Sequence, residues 1–289
     1  MDILSLLPRP VARWALPRLR YLNLMRAVEG AIVDRNVPAV RGLRVLDAGC
    51  GHGYYFMGLA LDGAQVTGVD LSADDVDKGF RMARLLGLGE GSVGPARACY
   101  LAGSLTELPF ADGSFDLVIC NSVIEHIPED GRALAEMRRV LRPGGRLFLT
   151  VDCDERPLAL GALSRLPRRW QNRLLKPQVL NGDTLEEGLR RYLAETYHVV
   201  HRYDEETLES QLRGHGFSAL DGRYYLTRLG AVVYEAFNLF RGLDMTRGAG
   251  RGIYMVSSLL LYPLVLWLDG VGERAGYGLA VVARRLEES

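Results

Sequence analysis

The chain has 289 residues, 24% of them charged and 48% apolar, with Lys+Arg and Asp+Glu equal in number and a pI near 7.0. This is ordinary globular composition, and the balanced charge lacks the broad basic footprint with which nucleic-acid binders neutralise phosphates. Cys50, Cys99, Cys120 and Cys153 form no C-x-x-C pair, which argues against a zinc ribbon or a disulfide framework and fits a reducing cytosol.

Residues 1–40 space arginines among Pro8, Pro10 and Pro17, so they lack the uninterrupted apolar core and cleavage site of a signal peptide. They are expected to form a helical lead-in to a cytoplasmic protein. The same arginines make a candidate for peripheral contact with an anionic membrane surface, although the prolines interrupt the amphipathic helix that such contact prefers.

From 41 to 153 short apolar runs alternate with helix-like stretches. LRVLDAG, QVTGVDL, ACYLAG, FDLVICN and GRLFLTVD are nearly continuous in hydrophobicity, the pattern of strands buried on both faces of a parallel sheet. Ser72 before ADDVDKGFRMARLLG supplies an N-cap, an acidic first turn and a glycine stop, and GRALAEMRRVLRPGG ends in a Pro-Gly-Gly expected to break its helix before the fifth strand. Residues 154–200 lose strand-like runs and mix prolines with arginines, which reads as an inserted lid segment. In 201–289, YDEETLESQLRGHGF is a helix opened by acids and closed by glycines, and GRYYL and GLAVVARR are two further strands. The expected fold is α/β, a doubly wound, mostly parallel sheet of seven strands. The uncharged run from Gly252 to Leu268 contains Pro263 and falls short of the ~20 residues a spanning helix needs; it is expected to be an interior or subunit-contact helix, with a membrane-facing helix as the alternative.

Within the alternating block, VLDAGCGHG places Gly49, Gly51 and Gly53 directly behind the first strand. Glycines there let the backbone approach a ligand and expose amide donors at the next helix start. The dinucleotide fingerprint needs its third glycine where Tyr54 stands, and no Gly-Lys-Ser/Thr follows for a P-loop. The second strand ends at Asp70, nineteen positions beyond Gly51, and a carboxylate so placed can accept hydrogen bonds from both hydroxyls of a ribose.

The runs VLDAGCGHG, VTGVDLS, LPFADGSFDLVICNSVIEHI and EMRRVLRPGGRLFLT, in this order and spacing, resemble the core of class I S-adenosylmethionine-dependent methyltransferases, especially the group that includes ubiquinone and menaquinone biosynthesis methyltransferases. The resemblance covers over a third of the chain and implies a Rossmann-like methyltransferase fold, S-adenosyl-L-methionine as cofactor and no metal. It implies that Gly49, Gly51 and Gly53 flank the methionine part of that cofactor, that Asp47 organises its ammonium, that Asp70 holds the ribose and that Leu71 packs on the adenine. Asn121 would contact the cofactor backbone near the sulfonium. Where the family often has an aspartate for the adenine amino group, this chain has Ser104 followed by Leu105, which leaves these two as adenine neighbours with one weaker contact.

Methyl transfer from a sulfonium is an in-line displacement, so positioning and exclusion of water matter more than a base. A hydroxyl acceptor would still gain from one. His126 is the candidate, with His201 second; Glu125 and His126 also read as a structural turn after the fourth strand, His198 as a flanking residue, and Asp152 and Asp154 as solvated loop acids. The Tyr-, Leu- and Phe-rich C-terminal third suits a small-molecule or lipid-like acceptor. The competing reading is a catalytically silent scaffold that has kept the cofactor fold, and nucleic-acid methylation and nicotinamide-dependent oxidation are disfavoured.

Overall fold

Strand formation follows the apolar runs. The computed structural model describes residues 40–53, 57–89, 97–153, 164–185, 187–188, 191–192, 198–227 and 276–287, with isolated helical positions between 253 and 264; the N-terminal lead-in therefore lies outside the described residues, as does Asp154. Seven strands form one sheet: β1 Arg44–Ala48, β2 Gln65–Asp70, β3 Arg97–Ala102, β4 Phe115–Asn121, β5 Leu141–Asp152, β6 Phe217–Thr227 and β7 Gly276–Arg285, in the order β3-β2-β1-β4-β5-β7-β6. The first five pair in parallel and β7 pairs antiparallel to both β5 and β6. The expected α/β architecture and its strand number are thus observed.

The central strands are apolar along their length because each face is covered. On one face, α1 (Met57–Leu61) and α2 (Ala73–Leu86) bury Met57, Ala60, Met82, Ala83 and Leu86 against Val45, Val66, Ile119 and Phe148. On the other, α3 (Asp130–Val140) and a later helix, Glu205–Gly214, bury Leu134, Met137, Leu208 and Leu212 against Leu46, Val118, Leu149 and Val281. The predicted caps form as well. Ser72 Oγ accepts from the Asp75 amide at 3.2 Å, Gly87 closes α2 with φ +73°, and Asp204 Oδ1 accepts from the Thr207 amide at 2.7 Å.

One expectation needs correction. The Pro-Gly-Gly does not form a separate break: α3 stops at Val140, β5 starts at Leu141, and Pro143, Gly144 and Gly145 lie inside the strand. There the ladder to β4 jumps from Phe115–Leu141 to Leu117–Arg146. Proline has no N–H to give a ladder, and Gly144 takes φ +70°, so the extra residues are absorbed as a bulge.

Between β5 and the last helix lie α4 (Arg168–Leu174) and α5 (Pro177–Leu180), which share a small core of Leu175, Val179 and Leu185 apart from the two main clusters. The Glu205–Gly214 helix is α6. In the long connection from β6 to β7 the described helical positions Ile253, Val256, Leu260 and Leu264 are all exposed, while Leu261 packs on the core. The expectation of an interior helix is therefore corrected for this face, which recurs every three or four residues and points to solvent. Among the described residues no helix is long and apolar enough to cross a membrane.

Candidate functional site

The strand order reverses between β1 and β4, since the chain leaves β1 towards β2 and β3 and then returns to the other side. In open α/β sheets ligands bind outside the carboxyl ends of the strands at this reversal. The glycine loop occupies that position. Gly49 takes φ +82° and donates its amide to the Val69 carbonyl at 2.8 Å, joined by the Cys50 amide at 3.0 Å, which folds the loop back over the end of β2. A side chain on Gly49 would collide with Val123, and one on Gly53 (φ +67°) with the Tyr100 ring. At Gly51, with φ +49°, a methyl group would meet no protein atom within 4 Å. The loop is thus closely backed at Gly49 and Gly53 and open at Gly51.

Asp70 joins this loop to β2. Its Oδ2 accepts from the Gly51 amide at 2.8 Å and its Oδ1 from the Ser72 amide at 2.9 Å. One lone pair is used on each oxygen, and a carboxylate offers about four acceptor positions, so two remain for hydroxyl donors. Leu71 beside it is 79% exposed, an aliphatic surface next to this carboxylate. Asp47, the penultimate residue of β1, is almost completely buried. Burial first, and then its negative charge, push the Cys50 thiol and the Tyr100 phenol well above their ordinary ranges, which keeps both neutral and unreactive beneath the loop.

At the end of β4, Asn121 Oδ1 accepts from the Thr150 hydroxyl at 2.9 Å, and the Ser122 amide donates to Thr150 Oγ1 at 2.9 Å and to the Thr150 carbonyl at 3.1 Å. Ser122 itself takes φ +50°, a strained conformation for a residue with a side chain. Thr150 therefore orients both residues, a role that sequence reading missed because a threonine in a strand carries no distinguishing pattern. Glu125 is fully buried; its Oε1 accepts from the Asp152 amide at 3.3 Å, and its carbonyl accepts from the Val200 and His201 amides at 2.8 and 2.9 Å. His126 Nδ1 lies 3.3 Å from the His198 carbonyl, and His201 Nε2 lies 3.2 Å from that of Pro128. The Glu125–His126 turn and the 198–203 segment brace one another at the carboxyl edge.

The family described as "Methyltransferase domain" matches residues 46–149, the stretch that carries the glycine loop, Asp70, Asn121 and the Glu125–His126 turn. The ubiquinone biosynthesis O-methyltransferase of Chromobacterium violaceum is 32% identical over 166 residues, 54% of this chain and 68% of that protein. The chain belongs to the S-adenosylmethionine-dependent methyltransferases. The corresponding protein of Bordetella bronchiseptica is 33% identical over 142 residues, 48% of this chain and 56% of its own length, and the chain spans a little over half the length of the first curated relatives it matches. The solved S-adenosylmethionine-dependent methyltransferase of Mesorhizobium loti superposes with a TM-score of 0.53 at 18% identity, covering 88% of this chain and 96% of that one, and so agrees in fold.

For a methyltransferase of this family the residues fit the cofactor. The backbone at Gly51 is open to close approach by a ligand, with no protein atom within 4 Å of a Cβ position, Asp70 retains acceptor capacity beside it, and Leu71 offers an apolar surface. Asp47, Gly49, Gly51, Gly53, Asp70, Leu71 and Asn121 all gather at the carboxyl ends of β1, β2 and β4. Two expected adenine neighbours behave differently. Leu105 is 5% exposed and belongs to the core cluster that includes Val69 and Leu108, so its side chain is a packing group. The Ser104 hydroxyl is engaged with Thr106, at 2.7 Å from Thr106 Oγ1 and 3.2 Å from its amide. Among the described residues no cluster of His, Cys, Asp or Glu could hold a metal ion.

Proposed function

We propose that this chain methylates an apolar, lipid-like small molecule bearing a hydroxyl, using the cradle at Gly51 and Asp70 for the donor. S-adenosylmethionine, when bound, supplies an electrophilic methyl group on a sulfonium. The observation that carries the reading is the 2.8 Å hydrogen bond from the Gly51 amide to Asp70 beside open space at Gly51. Asp70 holds the loop in its ligand-accepting shape and keeps acceptors for ribose hydroxyls; Asn121, oriented by Thr150, faces the same edge; Asp47 supplies negative charge for an ammonium group. His126 is assigned to take the acceptor proton. In the tautomer that donates from Nδ1 to the His198 carbonyl, its basic lone pair is on Nε2.

The apolar acceptor class is supported by the β6–β7 connection. It leaves and re-enters the sheet at the carboxyl edge, where Gly278 pairs with Asp152, and it carries the exposed aliphatic side chains of Ile253, Val256, Leu260 and Leu264. The names of the ubiquinone biosynthesis relatives agree with such an acceptor. Peripheral contact with a membrane surface, from which such an acceptor would be drawn, belongs to the same reading, as does a lid role for residues 154–200.

Titration calorimetry with S-adenosylmethionine and its demethylated product tests the donor site. Both should bind to the parent protein. Asp70→Ala should lose about 1.5–3 kcal/mol for each ribose hydrogen bond, and Asp70→Asn, which keeps the shape and part of the acceptor capacity, should lose less. Unchanged affinity in a folded Asp70→Ala protein would refute the site. No binding by the parent would favour the silent-scaffold reading.

A further inference from the structure

The edge of the sheet away from the cradle is lined by arginines. β1 opens at Arg44, β4 at Phe115 and β5 at Leu141, and β7, running antiparallel, brings Arg284 back to the same edge. One part of this cluster is internally compensated. Asp116 accepts from the Arg44 amide at 2.8 Å, from Arg44 Nε and Nη2 at 3.2 and 3.1 Å, and from Arg142 Nε at 2.8 Å. A single carboxylate therefore already answers two guanidinium groups.

Arg146 and Arg284 have no such answer. They are directly opposed in the antiparallel ladder of β5 and β7, so their side chains leave the same face with Cβ atoms ~4.5–5.5 Å apart, where like charges repel. Outside the backbone ladder, neither side chain makes a hydrogen bond or ion pair among the described residues. Both line a cleft of ≈ 320 Å³ with Arg142, Asp116, Leu117 and Gly144. Gly144, at φ +70°, has no atom within 4 Å of where a Cβ would stand, which leaves that wall open. Three arginines against one carboxylate in its lining give the cleft a positive excess, and its size is at the lower end of small-molecule sites, ~300–1,000 Å³.

We propose that this cleft is an anion site for a phosphate group, held between the guanidinium forks of Arg146 and Arg284 with Arg142 at the rim. A carboxylate presents two oxygens and one negative charge, whereas a phosphate group presents three strong acceptor oxygens and up to two charges, which can be shared among several guanidinium groups. Bound phosphate also turns the repulsion between the opposed arginines into attraction to a common partner. The site is separate from the methyl-transfer edge: Asp116 and Asn121 stand at opposite ends of β4, roughly 17 Å apart at ~3.3 Å per residue. Two sources can present this group, a soluble phosphate compound or a phospholipid headgroup.

The test is thermal unfolding of the full chain in increasing pyrophosphate, against sodium chloride at matched ionic strength. The parent should show a saturable rise in Tm, Arg284→Gln should need at least tenfold more pyrophosphate, and Arg146→Gln with Arg284→Gln should not respond. Without pyrophosphate and at low salt, Arg284→Gln should melt no lower than the parent, because one of two repelling charges is gone. S-adenosylmethionine binding should be unchanged in both variants, which separates failure here from failure of the donor site. Co-sedimentation with phosphatidylglycerol vesicles that pyrophosphate competes away assigns the source to a headgroup; pyrophosphate binding without vesicle binding assigns it to a soluble compound. A Tm that rises no further than in matched salt, or an equal response in the doubly substituted protein, overturns the proposal.

Discussion

Gly49 and Gly51 are two residues apart, share a left-handed backbone and have opposite surroundings. A methyl group on Gly49 would enter the Val123 side chain, whereas one on Gly51 would meet no protein atom. Gly49→Ala should therefore cost the ~1–2 kcal/mol of a left-handed Ala plus about 1–3 kcal/mol of overpacking, read as a lower denaturation midpoint. Adding Val123→Ala should recover the overpacking part alone. Gly51→Ala should cost only the backbone part, yet weaken S-adenosylmethionine more than tenfold because the methyl group fills the cradle. If Gly51→Ala binds the donor normally, the open space at Gly51 is not where the donor lies. The same reasoning explains Tyr100, whose ring lies under Gly53, Gly68 and Gly79: three glycines on three elements leave room for one aromatic plate beneath the loop.

At the scale of elements, two of the motifs that marked the family are one structural unit. Glu136 on α3 accepts from the Leu108 amide at 2.7 Å, and Arg139 donates to the carbonyls of Leu108 and Phe110 at 2.9 and 2.7 Å. Arg139 also donates to Glu136, at 2.7 Å from Nε to Oε1, so helix and loop are clamped through one ion pair. The hydrogen bond from Arg139, followed by that from Leu108 after a burial cost, holds the Glu136 carboxyl below the usual carboxylate range. A carboxyl depressed in the folded state stabilises it above the unfolded value of ~4.3 and loses that contribution as pH falls through the folded value. Glu136→Gln should therefore be less stable than the parent by about 1–2 kcal/mol at neutral pH, and the two unfolding curves should converge below pH ~4. A constant difference across that range would show that the loop is not held by the charge. Arg285 acts in a related way at the same C-terminal end of α3, donating to the carbonyls of Arg138, Arg139 and Leu141, a cation at the negative end of the helix.

Over the whole molecule, what was legible in the sequence was what depends on local order. The central strands could be read because burial on both faces demands unbroken apolar runs, and the donor loop because glycine and aspartate spacing is imposed by a backbone turn. Thr150, which orients Asn121, and the opposed pair Arg146 and Arg284 depend on strand register, which no run of residues announces. The burial of the Leu105 side chain in the core cluster depends on tertiary packing in the same way and could not be read from its place beside Ser104. Least legible was the connection from Thr227 to Gly276, whose apolarity suited an interior, a subunit-contact or a membrane-facing helix alike; four of its side chains face solvent, which removes the first for that face. Thr227 and Gly276 are partners in the β6–β7 ladder, so the sheet can close without residues 228–275, and the donor cradle lies on other strands. Replacing 228–275 with a short Asn-Gly loop should leave donor affinity within about threefold by calorimetry, lower Tm through loss of the Leu261 contact, and abolish methyl transfer to an apolar hydroxyl acceptor followed with labelled donor. The connection is then an acceptor-side device added to an independent donor site. If the shortened protein keeps its fold but loses the donor, the connection is part of the cofactor site and the division between donor and acceptor sides falls.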